Sequence, residues 1–169
     1  MSKQLKQIGL NSRYALGSRI NTKKKNKVLK DFINLIKINK NKIINENKKD
    51  IFYARGKNLK ENLIKRLALN DEKITSIINS VKTIISFKDP VNEVISRWKR
   101  PNGLEIKRVT IPIGVIGVIF ESRPNVTSDV SALCFKSGNA VILRGGSEAY
   151  NSNKILVNLF RKALKKNKV

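Results

Sequence analysis

The sequence predicts an α/β chain: a helical amino-terminal region, a β-hairpin, and the first half of a parallel, Rossmann-type sheet. Three observations predict it. Up to Pro90 apolar residues recur at spacings of three and four. From there to about residue 111 they alternate with polar residues around the turn "KRPNG". Beyond it two wholly apolar runs, "GVIGVIF" and "NAVILR", each lead into a helical pattern. The expected regions are 1–90, helical; 91–112, hairpin; and 113–169, the first βαβα part of a cofactor-binding domain.

The helical pattern is expected to run from Ser2 to about Lys49. In "TKKKNKVLKDFINLIKI", Val28, Phe32, Ile33, Leu35 and Ile36 gather on one face and the lysines take the other. In "DEKITSIINSVKTIISF", Ile74, Ile77, Ile78, Val81, Ile84 and Ile85 share a face, with Asn70 positioned as the cap and Asp71 and Glu72 in the first turn. Pro90 disfavours helix at Asp89 and ends the pattern. "NEVISRW" and "LEIKRVTI" form the hairpin, with Asn102 and Gly103 taking positive φ. "GVIGVIF" and "NAVILR" read as strands buried on both faces. "TSDVSALCFK" reads as a capped helix ended by Gly138, and the last helix is expected to be capped by Ser147.

The net charge of +24 raises nucleic acid or an anionic membrane as a partner, but its placement argues otherwise. Residues 1–100 carry 25 Lys and Arg against 8 Asp and Glu, 101–150 carry 5 against 4, and 151–169 carry 6 against none. The motif-bearing segment is therefore nearly neutral. Lys, Asn and Ile are together abundant, as A/T-rich codons would make them, and "NTKKKNKVLK" and "KKNKV" hold no aromatic on which bases could stack. We expect no nucleic acid and no membrane partner. The apolar run 111–120 is well short of the ~20 residues that span a bilayer. One Cys and no His leave no disulfide framework, Cys/His zinc site or His-based triad within this chain, so no metal is expected and a reducing cytoplasm fits.

In open parallel sheets ligands bind beyond the carboxyl ends of the strands. Both such ends are polar here: "ESRPN" and "RGGSE". Gly145 and Gly146 would let the backbone approach a ligand, with the amides opening the last helix favouring an anion, or they form a tight turn with no ligand. Arg144 could pair with a phosphate or with Glu148. Arg123 could clamp an anionic substrate and Asn125 donate to an oxyanion, or Asn125 caps the following helix. Cys134, in mid-helix among apolar neighbours, reads as packing.

"IPIGVIGVIFESRPNV", against the pattern "VPxGVIGxIxESRPNV", and "LCFKSGNAVILRGGSEA" resemble the glutamate-5-semialdehyde dehydrogenases, or γ-glutamyl phosphate reductases, of the aldehyde dehydrogenase superfamily. "KNKVLKDFINLI", "RLALNDEKI" and "DPVNEVISRWKRPNGLEIKRVTIP" fall where that family's helices and hairpin belong, so the resemblance covers essentially the whole chain. It implies an aldehyde dehydrogenase-like fold and the NADPH-dependent reduction of L-glutamate 5-phosphate to the semialdehyde and phosphate in proline biosynthesis, through a Cys thiolate and a thioester. Phe120, Glu121 and Ser122 would pass under the nicotinamide side of NADPH. Arg144, Gly145, Gly146 and Ser147 would lie by the adenosine ribose, with Ser147 replacing a Glu of NAD-specific relatives that would repel a 2′-phosphate. The oxyanion donor falls on Arg123 or Asn125, with Asn125 as the provisional assignment and Arg123 the provisional substrate contact.

Family members are much longer, and their nucleophilic Cys and oligomerisation strand match nothing in this sequence. The chain therefore resembles an amino-terminal piece, expected to be inactive alone and to need a complementary carboxyl-terminal half or a homo-oligomer. Two other readings are a basic nucleic-acid-binding protein and a noncatalytic NADPH-binding subunit.

Overall fold

The computed structural model describes residues 3–17 and 20–169. The elements in order are α1 (Lys3–Leu16), α2 (Thr22–Ile38), α3 (Lys40–Gly56), α4 (Glu61–Leu67), α5 (Asp71–Ser86), β1 (Val94–Lys99), β2 (Glu105–Val109), β3 (Val115–Phe120), α6 (Pro124–Lys136), β4 (Ala140–Gly145), a single 3₁₀ turn (Ser147–Ala149) and α7 (Tyr150–Lys166). Ser2, the expected start of the helical pattern, lies outside the described residues. The pattern to Lys49 divides into three helices. Asn21 caps α2 by accepting from Lys24 N at 2.8 Å, and Asn39 ends it by donating to Leu35 O at 2.8 Å.

One core joins the helical region to the βαβα unit. Val28, Leu29, Phe32 and Ile36 of α2, Ile74, Ile77 and Val81 of α5, Ala132 of α6, and Leu156 and Leu159 of α7 are buried together. The Phe160 ring meets Phe32 and Phe135 edge-on, with centroids 5.0 and 5.8 Å apart. The three-and-four spacing of α5 is buried as its sequence predicts, and Asn70 caps it, accepting from Lys73 N at 2.9 Å.

Not every lysine of α2 faces water. Lys25, 3% exposed, gives both oxygens of Asp89 hydrogen bonds of 2.9 and 3.0 Å and another of 3.0 Å to Lys136 O. Lys136, equally buried, donates to Asn26 Oδ1 and to Ile85 O, a carbonyl in the last turn of α5. This network ties α2 to the ends of α5 and α6, where three helix termini would otherwise leave backbone groups unpaired. Its position, not its residue types, makes it invisible to periodicity.

β1 and β2 pair antiparallel with a bulge between Val94 and Ser96, and β1 is exposed throughout. Gly103 takes φ +88° in the turn; Asn102 does not adopt positive φ and instead accepts from Leu104 N at 3.2 Å. β3 and β4 pair in parallel, Ile116 with Val141 and Phe120 with Gly145. The expected burial of β3 on both faces is wrong: exposure alternates along it, and Ile119 is 81% exposed. The face bearing Phe120 turns to the helices, while α1 packs against β4 and the adjoining part of β3, leaving the alternate residues of β3 open.

Burial alone would raise the Asp89 carboxyl, but hydrogen bonds from Lys25, Thr22 and Val91 N outweigh it and hold the group below the usual carboxylate range. With the folded pKa under an unfolded value of ~3.9, its contribution is present above that pH and is lost as pH falls through the folded pKa. Asp89→Ala, which strands the Lys25 ammonium, is expected to cost about 3–5 kcal/mol in urea unfolding at pH 7. The cost should shrink as the measurement moves below about pH 4.

Candidate functional site

The carboxyl ends of β3 and β4 lie side by side. Phe120 is in register with Gly145, and Gly146 N donates to Phe120 O at 3.0 Å. The two loops are then locked by Glu148, whose Oε1 accepts from Ser122 N at 2.6 Å and from Ser122 Oγ at 3.0 Å. Ser122 is 2% exposed and has φ +45°, a left-handed conformation seldom taken by residues other than Gly, Asn and Asp. A Cβ on Gly146 would collide with the Glu148 carboxylate, and one on Gly145 with the Asn153 amide. Both glycines thus leave room for the chain's own side chains.

Ser147 is not the cap of the last helix. It opens the 3₁₀ turn, and α7 begins at Tyr150 with no cap from a neighbouring side chain. The acceptor comes from α3: Asp50, 2% exposed, takes hydrogen bonds from Asn151 N at 3.0 Å and Ser152 N at 2.7 Å, and from Asn151 Nδ2 and Ser152 Oγ. Asn47, one turn earlier, donates to Ser152 Oγ and Leu67 O and accepts from Leu69 N. Two first-turn amides of α7, Asn151 N and Ser152 N, are therefore occupied by a carboxylate.

α6 starts three residues before the expected Thr127. Pro124 stands in the first turn, where its missing N–H costs nothing, and Arg123 is the residue before it. Asn125 lies inside the helix and does not cap it; its Nδ2 donates to Asp129 Oδ2 at 3.2 Å. Burial pushes the Asp129 carboxyl above its ordinary range, with the Asn125 bond pulling the other way. Thr127 Oγ1 donates to Asn153 Oδ1 at 2.8 Å, joining α6 to α7. Burial also pushes the Cys134 thiol up, away from the thiolate that a nucleophile needs.

The structure brings Phe120, Ser122, Gly145, Gly146 and Ser147 to one rim. Glu121, Arg123, Arg144 and Ser147 are exposed there. The Arg144 guanidinium donates to Gly145 O at 3.2 Å and Glu148 bonds Ser122, so the alternative Arg144–Glu148 pair does not form. Sequence reasoning missed Asp50, Asn47, Asn153 and the role of Glu148. The one available signal was an Asn and an Asp three apart on α3, sharing a helical face with Ile43 and Ala54. A concavity of about 320 Å³ beside Asp50, Tyr53, Tyr150 and Asn151 reaches Ser147. Another, of about 640 Å³, runs along the polar face of α5 and touches none of these residues. Among the described residues no cluster of His, Cys, Asp or Glu could hold a metal ion, and no helix is long and apolar enough to cross a membrane.

Gamma-glutamyl phosphate reductase of Nautilia profundicola is 50% identical over 148 residues, 88% of this chain and 36% of that protein. The crystal structure of the enzyme from Thermotoga maritima superposes with a TM-score of 0.88 at 46% identity, over 92% of this chain and 38% of that one. The chain is homologous to the amino-terminal part of gamma-glutamyl phosphate reductases. It spans about a third of the length of the curated relatives it matches. A Bacillus subtilis structure assigned to the aldehyde dehydrogenases shares the fold, with a TM-score of 0.69 at 17% identity. No protein-family model matches the chain.

Asp50→Ala removes the acceptor from two backbone amides at the start of α7. We expect a loss of about 1–3 kcal/mol for each amide left buried and unpaired. Hydrogen exchange should show it first as lost protection at Ser152 N, before protection in the middle of α5 changes.

Proposed function

We propose that this chain supplies the amino-terminal part of an enzyme that reduces L-glutamate 5-phosphate with NADPH to L-glutamate 5-semialdehyde and phosphate, in the cytoplasm. The observation that carries the reading is the meeting of the β3–α6 and β4–α7 loops at one end of the sheet, with Arg144 and Ser147 exposed on the same rim. It is supported by the homology over the matched third.

The residues fit the adenosine end of NADPH. Arg144 offers guanidinium donors, and Ser147 brings a hydroxyl and no charge to a position where a carboxylate would repel a 2′-phosphate. The pyrophosphate has no helix-terminal cradle on α7, because Asp50 holds those amides. Phe120 and Glu121 would border the nicotinamide side. When bound, NADPH supplies the hydride. Arg123, exposed just before α6, would hold the anionic substrate, while Asn125, steadied by Asp129, would present its amide to the developing oxyanion. The acyl-transfer step needs a thiolate from outside the matched third, since the single cysteine is buried with its thiol pKa raised.

The rest of the fold would come from a polypeptide equivalent to the remainder of these relatives, seated on the open side of β3. Ile119 is 81% exposed there, Ile113 just before the strand is 86% exposed, and "VIGVIF" carries neither the Lys nor the Pro that usually guards a free edge. Mixing this chain with the carboxyl-terminal portion of the Nautilia relative should give a stable pair by size-exclusion chromatography and growth of a proline auxotroph. Ile119→Lys should weaken the pairing, and failure of the unaltered chains to associate would refute this arrangement. In the pair, Ser147→Glu is expected to weaken NADPH relative to NADH by about tenfold or more, the effect of ~1.4 kcal/mol of added repulsion at the 2′-phosphate. An unchanged NADPH/NADH ratio would remove Ser147 from the cofactor site.

A further inference from the structure

We infer that Glu148 is the positioning residue of the β3–α6 loop: its carboxylate holds Ser122 left-handed and so sets the direction in which Arg123 and Asn125 leave the sheet. The inference rests on the reading of these loops as the ligand site, but its structural part stands on separate observations.

Ser122 has no glycine's freedom, yet it sits at φ +45° in a buried position. Such a conformation is strained for a residue with a Cβ and persists only where surrounding contacts fix it. The contacts are the two hydrogen bonds that one Glu148 oxygen accepts from the Ser122 amide and hydroxyl. Gly146 supplies the space. Its φ of −64° is open to any residue, so conformation does not demand glycine there; a Cβ would instead project into the Glu148 carboxylate and push this flexible side-chain end away from Ser122. Gly146 N is in turn fixed by Phe120 O, so the seat of the carboxylate and the strand that ends at Phe120 move together. Ser122 is followed directly by Arg123, which flanks α6 without a side-chain cap bond, and then by Pro124 with its restricted φ. The acceptor is a single oxygen, so a Gln amide oxygen can take its place.

The test uses the chain itself. Backbone amide spectra and hydrogen exchange would be recorded for the unaltered protein and for E148A, E148Q, G146A and the double variant E148A/S122G. Glu148→Ala should cut Ser122 amide protection about tenfold or more and shift the Arg123 and Asn125 amides, while the core of α5 is unmoved. Glu148→Gln should restore most of the protection. Gly146→Ala, which leaves Glu148 in place but takes its seat, should reproduce Glu148→Ala. In the double variant, glycine tolerates the left-handed turn unaided, and the Arg123 and Asn125 shifts should return toward the original. Unchanged Ser122 protection in E148A and G146A overturns the inference. If E148A does not fold, G146A and E148Q decide it on the same signal.

A second readout separates positioning from mere stability. In the assembled pair, E148A should lower kcat with little change in the KM for NADPH, and E148Q should recover it. Equal loss in E148A and E148Q would count against positioning. Absence of NADPH binding by the unaltered pair would instead sink the nucleotide reading and leave the Ser122 result standing.

Discussion

The buried carboxylate of Asp50 is the constraint on which the arrangement of the candidate site depends. Strand β4 delivers the chain to the surface at Gly145, and within a few residues it must re-enter the helical body as α7. A helix start with no local cap would leave its first amides unpaired against α3. Asp50 removes that penalty at Asn151 and Ser152, and Asn47 fastens the same hydroxyl of Ser152 to the α4–α5 connection. With α7 seated, Asn153 can accept from Thr127 and draw α6 in, and Glu148 is held over the loop after β3. The rim where the two loops meet is thus built from the helical layer outward, and the sheet alone would not define it.

Charge follows the same logic. Acids are outnumbered 12 to 36, and several stand at junctions between elements. Asp31 receives Lys166 and Asn167 from the end of α7, Asp89 receives the buried Lys25, Asp50 caps α7 and Glu148 joins two loops. The excess of lysine is mostly solvated, where exposed pairs contribute little. A basic surface and acidic anchors are then separate facts: the first describes composition, the second describes how the fold is tied.

Much of this was legible in the sequence wherever a local rule decided the outcome. Asn70 before "DEKI" names its own role, because a cap, two acids and an apolar stripe agree over adjacent residues. The pairing of two loops followed from strand–helix alternation and parallel topology. What could not be read were decisions made across long separations. Ser147 has a good capping side chain and is displaced by Asp50, almost a hundred positions earlier in the chain. Lys25 looked solvated by pattern, yet Asp89 and the end of α6 surround it. The two-faced burial expected for "GVIGVIF" reflects what such a run could fill; how much covers it depends on the elements beside it, and here the alternate residues stay open.

The occupied start of α7 also bears on how a dinucleotide could be held. In sheets where a glycine-rich turn leads into a helix with free amides, the pyrophosphate sits on that helix terminus, and much of its affinity comes from backbone donors. Here Asp50 takes two of the first-turn donors of α7, and the two glycines make room for Glu148 and Asn153. A cofactor at this rim would be recognised through side chains, chiefly Arg144 and Ser147, and through whatever surface faces them. Discrimination at the ribose would then be local and easily altered. Affinity, by contrast, would draw little on Asn151 N and Ser152 N, which Asp50 already holds.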